Sequence, residues 1–438
     1  MRDHLFSGTL TRCVRTFTDG LTPHFLIVVL FSLPLAAARA EPLTLDEAWT
    51  LADQANPELR AAQAGLSAAR GQLKDAQGLL WNNPQVATDL TRRTLSQPGM
   101  PGQAFGEWNV GLAQTFELAG QHGYRREAAE FELDAANARI AELRRQVRAA
   151  VEQRFTRVLA LQKRVEIERN SLRLIQDAAV AVRKRVGAGQ DSRLDGNLAS
   201  VEAERAQNQA TLLGEQLIQA RVELASLVQL PPTNLPEAVG EFRAERPRYS
   251  LQDLLDNLAT RPLLRALNLR EQAARSKLAL QRASTYPDIT VGLTTGREGP
   301  GDARENLVML SVSIPLPLFK RNAAGVGQAS AELTQSQIEK MSLSRDVEAQ
   351  VRATWQRLES LHARVSRLTE SVLPSLEENQ RLSVVSFRSG EIGLLQLLLV
   401  NRQLLDGHRD YLDAVADLSQ TRIALEEAAG FVSKDAAR

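Results

Sequence analysis

"NLVMLSVSIPLPLFKRNAAGVGQASAEL", residues 306–333, changes its period halfway. Val308, Leu310, Val312, Ile314 and Leu316 alternate with Leu307, Met309, Ser311 and Ser313, the period-2 signature of a strand. A basic turn at Lys320 and Arg321 then opens an alanine-rich, polar helix start. Two hundred residues earlier, "EWNVGLAQTFELAGQHGYRREAAEFEL" (107–133) does the same. There Trp108, Val110, Leu112, Phe116 and Leu118 oppose Asn109, Gly111, Ala113, Thr115 and Glu117, and Arg125 and Arg126 mark the turn. The chain twice runs a strand through a short turn into a long helix.

The repeat extends outward from that passage. Residues 43–86 and 249–291 each place a Leu-x-acidic helix start before a proline, then an amphipathic helix, then a pair ending in Pro84 or Pro287. "RVGAGQDSRLDGNLASVEAERAQ" (185–207) is answered by "SFRSGEIGLLQLLLVNRQLLDGH" (386–408), with proline-rich 228–250 as linker. Three landmarks in one order, at one offset, signal an internal duplication. The expected organisation is a leader at 1–40, a first repeat at 41–240 with strands near 84–95 and 107–118, and a second repeat at 241–438 with strands near 287–295 and 306–316.

The fold class expected is mostly α with a β part. No proline interrupts 122–187, and the second run meets only Pro374. A helix of about 65 residues extends roughly 100 Å. Val351, Trp355, Leu358, His362, Val365, Thr369, Val372, Leu376 and Asn379 step by three and four, the seam of a coiled coil. Glycines break each run at Gly187 and Gly189, and at Gly390 and Gly393, before a shorter helix returns. Each repeat therefore carries a long helical hairpin.

Composition excludes several functions. The 438 residues carry a formal net charge of +1, which offers no basic field for nucleic acid. Arg2, Arg12 and Arg15 precede the apolar run 25–38, and "ARA" ends at Ala40, the plan of a secretory signal peptide cleaved after Ala40. The competing reading is a membrane anchor, for which the run is shorter than the roughly twenty residues a span needs. Cleavage removes Cys13, the one cysteine, and leaves 49 basic against 50 acidic residues. His122, His362 and His408, the histidines beyond the leader, form no helical metal pair. His362 on the seam reads as a packed residue. No phosphate-binding glycine loop, zinc-protease helix or nucleophile constellation is present. The expectation is no enzyme, no cofactor and no resident metal.

The strand faces pose the larger question. Ile289, Val291 and Leu293 oppose Asp288, Thr290, Gly292 and Thr294, and Val86, Thr88 and Leu90 give a weaker fourth strand. One reading is a small sheet whose apolar face a helix covers. The other is a wall segment in lipid, where an open sheet edge leaves backbone groups unsatisfied. Four strands are too few for a membrane barrel, which needs at least eight. Two copies supply eight and three supply twelve, and the residues alone permit either.

The leader, the duplicated plan and the "RVGAG…D" (185–195) and "FRSGEIGLLQLL" (387–398) turns resemble the TolC-type outer-membrane efflux proteins. "FELAGQHGYRREAA" (116–129) and "SIPLPLFKRNAAGVGQA" (313–329) are similar to the cobalt-zinc-cadmium (CzcC-type) heavy-metal branch. The resemblance implies a homotrimer whose twelve-stranded barrel, four strands per chain, crosses the outer membrane and continues into a periplasmic α-helical barrel. It implies a passive exit duct for divalent heavy-metal cations. A periplasmic adaptor (membrane fusion protein) and an inner-membrane RND-type pump would be its partners. By family position the tunnel constriction falls on Asp195 and its counterpart Gln396, with Leu399 where drug-type members often carry an acid. Asp191 or Glu391 would assist, and Asp195 also reads as a helix cap. Arg185, Gly189, Arg388 and Gly390 would form the adaptor-docking tip, the glycines serving at least as helix terminators. Lys320, Arg321, Arg125 and Arg126 read as rim charges that meet lipid phosphates or water. Drug or protein export and a non-transporting periplasmic scaffold remain the alternatives.

Overall fold

The computed structural model describes residues 42–431 apart from 97, 100, 232 and 243–245, and the expected leader lies outside the described residues. In chain order the elements are β1 (Pro42–Leu43), α1 (Leu45–Ala55), α2 (Pro57–Ala76), β2 (Gln85–Leu95), β3 (Gln103–Phe116), α3 (Gln121–Gly187) and α4 (Arg193–Leu227). The series then repeats as β4 (Glu237–Ala238), α5 (Leu251–Asp256), a 3₁₀ turn, α6 (Pro262–Ala283), β5 (Ile289–Glu298), β6 (Glu305–Ser313), α7 (Ala323–Arg367), a π turn (Leu368–Val372), α8 (Leu373–Ser389) and α9 (Leu394–Ala429). The internal duplication is thus a duplication of elements.

Equivalent points of the two repeats are built by the same local chemistry. The acidic residue of each Leu-x-acidic start closes a capping box, Glu47 with Thr44 and Asp253 with Ser250, satisfying two otherwise orphaned backbone donors at each helix end. Pro57 and Pro262 each open the next helix at its first turn, where the missing N–H costs nothing. Each strand enters its long helix through a left-handed residue, Gly120 at φ 82° and Asn322 at φ 55°. Glycine reaches that conformation without a Cβ clash. Asn322 reaches it while its Nδ2 donates to the Gln281 carbonyl at 2.8 Å.

The 67-residue α3 packs on α4 within its own hairpin and on α9 of the other repeat, and α6 lies against both α3 and α7. Two matching cores hold the hairpins. Val147, Val151, Phe155 and Val158 bury against Ala220, Leu224 and the α1 alanines Ala48 and Ala52. Val351, Leu358 and Val365 bury against Val415, Leu418, Leu425 and the α5 Leu254. Each fully buried aliphatic side chain contributes about 1.5–3 kcal/mol. Among the described residues no helix is long and apolar enough to cross a membrane.

The second seam departs from the expected spacing. Leu358, His362 and Val365 are buried, but Thr369 and Asn379 are exposed, and burial resumes at Leu373, Ser383 and Phe387. The π turn just ahead of Pro374 adds a residue to one helical turn, which moves the apolar stripe by one position. Proline lacks the N–H that a regular turn would need there.

β2, β3, β5 and β6 form one antiparallel sheet in that order. β3 begins at Gln103, ahead of the position near 107 suggested by alternation, because Gln103–Gly106 continue the ladder with Arg92–Leu95. β6 stops at Ser313, short of 316, since Pro315 and Pro317 remove donors from the segment that would follow.

Candidate functional site

The register resolves what the alternation left open. Val86, Leu112, Leu293 and Leu310 form one row across all four strands, and Thr88, Val110, Thr295 and Val308 form the next. Directly opposed residues share a face, so the apolar sides of all four strands coincide. Among the described residues no helix covers them: Val86 is 73 % exposed, Leu310 71 % and Val312 62 %. The described helices do not make this a helix-covered sheet. The opposite face is small or polar, with rows Ala87–Gly111–Thr294–Met309 and Gln85–Ala113–Gly292–Ser311 and a Thr115–Thr290 hydroxyl contact of 2.8 Å. β2 and β6 are the outer strands of the order, so each leaves one backbone edge without a strand partner among the described residues. Below the sheet, Phe319 is almost wholly exposed, with Tyr286, Trp81 and Leu316 also open. Arg125 lies 3.8 Å over the Trp81 ring and forms a two-point ion pair with Glu117, so it is not a free rim charge.

The other end of the molecule is built by two glycine caps of one design. Gly189 (φ 75°) and Gly390 (φ 80°) are left-handed. Gln190 N donates to Arg185 O and Glu391 N donates to Ser386 O, both at 2.8 Å, the closing bonds of Schellman turns. Asp195 and Gln396 then occupy the same third helical position of α4 and α9. Asp195 Oδ2 accepts from Ser192 Oγ at 2.7 Å and from Ser192 N at 3.3 Å, completing a capping box. Gln396, behind the cap residue Gly393, makes no such bond and is exposed. Leu395 and Leu399 are exposed beside it. Arg185 donates to Asp191 Oδ1 at 3.0 Å and lies 5.7 Å over the Phe387 ring, so it ties one tip to the other. Arg388 and Glu391 are exposed. Val182, Ala199, Phe387, Leu394 and Leu397 pack the two tips into one cluster.

A family model described as "Outer membrane efflux protein" matches residues 49–228 and again 254–431. The chain belongs to the outer membrane efflux protein family. The cobalt-zinc-cadmium resistance protein CzcC of Cupriavidus metallidurans is 27 % identical, over 89 % of this chain and 91 % of that protein. The pyoverdine export outer membrane protein OpmQ of Pseudomonas putida is 24 % identical, over 85 % and 78 % respectively. The crystal structure of the outer membrane protein VceC from Vibrio cholerae superposes with a TM-score of 0.73 at 18 % identity, covering 88 % of this chain and 96 % of that one. The protein is an outer-membrane efflux channel component with the channel protomer's fold, and its relatives are channels rather than enzymes.

In this efflux channel protomer, a ladder of polar contacts along α3 and α9 escaped sequence reading. Glu142 accepts from Arg261 at 2.7 Å, and Arg261 also donates to the Ala428 carbonyl at 2.8 Å. Glu152 pairs with Arg422, which also holds Glu426, to which the Tyr249 hydroxyl donates at 2.8 Å. Glu168 pairs with Arg409 at 2.6 Å, and Asn401 Nδ2 donates to Ser171 Oγ at 2.9 Å. Burial pushes the Glu152 carboxyl above the usual range against the pull of Arg422. Burial, reinforced by Glu426, likewise pushes the Tyr249 phenol up. Apart from Arg422 and Glu426, four residues apart on α9, these partners lie more than a hundred residues apart, and no local pattern announces them. His362 is buried as its seam position suggested, its Nε2 without a hydrogen-bond partner among the described residues, while His408 Nε2 stands 3.8 Å from Glu377. No group of three metal-ligating side chains occurs among the described residues.

Proposed function

We propose that three copies of the chain close their sheets edge to edge into a twelve-stranded outer-membrane barrel whose helical hairpins continue as a periplasmic tunnel. The observation that carries this is the bare apolar face spanning four strands between two open edges. In lipid every backbone group needs an internal partner, so an open sheet must close. Three copies leave a wider lumen than two, whose eight strands would leave an interior just wide enough for side chains to fill. The secretory signal at 1–40 is removed after Ala40, and the repeats divide at 41–240 and 241–438. The mature channel is a passive duct.

The cargo proposed is divalent heavy-metal cations, supported by the CzcC likeness across most of both chains. An inner-membrane RND-type pump would drive them through a periplasmic adaptor docking at Arg185, Gly189, Arg388 and Gly390. Asp195 and Gln396 then line the constriction, where three Asp195 carboxylates favour cations. Deleting the gene should lower tolerance to zinc, cobalt or cadmium. Unchanged metal tolerance with lost export of an organic compound would move the cargo to the second reading, which the OpmQ likeness supports. In planar bilayers, Asp195→Asn should weaken cation over anion selectivity. Unchanged selectivity would take Asp195 out of the constriction.

A further inference from the structure

The sheet sorts its charges by face. On the polar face stand Asp89, Glu107, Glu298 and Glu305, which are all the acids of the four strands, together with Arg93. On the apolar face stand Arg92 and Arg297 and no acid. Both lie at the strand ends remote from α3 and α7. Arg297 shares the row Leu90–Trp108–Arg297–Asn306, and Arg92 sits two residues beyond Leu90. Gly106 opposes Arg92 and has nothing within 4 Å of where a Cβ would stand, so the face is open between the two guanidinium groups.

The two arginines are placed to act outward. The inward Arg93 is neutralised by the buried Glu107 at 3.3 Å, whereas Arg92 and Arg297 have no acidic partner among the described residues. Arg297 Nε donates to Asn306 Oδ1 at 3.1 Å, which holds its stem along the same face. An arginine is costly at the bilayer midplane, but the cost falls towards nothing near the interface. A long basic side chain at the edge of an apolar band can extend to headgroup level. A guanidinium there presents a planar fork that matches phosphate. Two strand spacings and a two-residue offset put the two about 12 Å apart.

We propose that Arg92 and Arg297 form an outward clamp for the phosphate groups of lipopolysaccharide in the outermost leaflet. The proposal rests on the sheet being an outer-membrane wall with its hairpin ends outside. Its test uses the purified, delipidated full-length protein, incubated with labelled lipopolysaccharide and separated by gel filtration in detergent. Wild type should retain the label and release it in 0.5 M salt, and Arg92→Gln with Arg297→Gln should retain about tenfold less or lower still. Arg93→Gln should retain as much as wild type. Equal retention by the double variant, a matching loss in Arg93→Gln, retention indifferent to salt, or equal retention of phosphatidylglycerol would each overturn the clamp. If the double variant does not assemble, the single Arg→Gln variants and the wild-type salt titration decide alone. Channel insertion in planar bilayers separates the two readings. A wild type that inserts yet binds no lipopolysaccharide sinks only the clamp, and one that never inserts sinks the wall.

Discussion

Asn56 and Arg261 stand at the same place in the two repeats, with φ/ψ of −59°/125° and −58°/128°. The following proline forces that extended backbone on both. Asn56 then caps α2, its Oδ1 accepting from Glu58 N and Leu59 N. The Arg261 side chain cannot accept a bond, and instead sends its guanidinium into the interior to Glu142. The proline was legible in the sequence, but the partner of Arg261 was not, because 119 residues separate it from Glu142. Among the described residues, removing Arg261 leaves Glu142 only the longer Arg145 contact at 3.6 Å, and a stranded buried charge costs up to about 3–5 kcal/mol. Arg261→Leu should therefore lower the thermal midpoint clearly, and adding Glu142→Leu should restore most of the loss. A double variant no better than the single would show that the pair is not a unit.

The buried His362 and the half-buried His408 add a pH dependence at the same scale. Burial, and then Arg246, holds His362 below its ordinary range. Burial also lowers His408, against the pull of Glu377. The unfolded chain takes protons near pH 6.5 while the folded sites still refuse them, so stability is full above that pH and falls below it. His362→Leu with His408→Gln should shrink the drop in thermal midpoint between pH 7.5 and pH 5.5. An undiminished drop would assign the acid sensitivity elsewhere.

At the scale of elements, the long helices were readable because their apolar spacing persists over many turns and proline is absent from α3. The π turn was not, because Pro374 predicts a disturbance without saying whether a kink, a break or an added residue resolves it. Beside it, Gly407 of α9 lets Leu376 approach so closely that a Cβ there would clash with its Cδ1. The tip glycines were readable as terminators, and their differing demands can be measured. Gly390 is left-handed with open space around it, so Gly390→Ala should cost about 1–2 kcal/mol from backbone strain alone. Gly187, inside the last turn of α3 with ordinary φ and open space, should gain about 0.4–1 kcal/mol on replacement by alanine. Thermal midpoints moving the same way for both would refute the cap assignment.

At the scale of the molecule, alternation gave the two faces of each strand, but only the register shows that the four apolar faces coincide and lie bare. What covers them is not written in any one strand. Adjacent residues of β6 make the test sharp. Leu310 lies on the bare apolar face and Met309 on the polar one, and both side chains are exposed in the single chain. If the apolar face meets lipid, Leu310→Arg places one charge per copy in hydrocarbon, about 2–4 kcal/mol each and roughly three times that in a trimer. Met309→Arg places the same charge in a wet lumen, where it costs little and narrows the passage. Leu310→Arg should therefore deplete assembled protein from the outer-membrane fraction, while Met309→Arg assembles normally and shows reduced single-channel conductance. Were the two to assemble equally well, or Met309→Arg to fail and Leu310→Arg succeed, the apolar face would not be the lipid face. The barrel would then have to be closed inside out or abandoned.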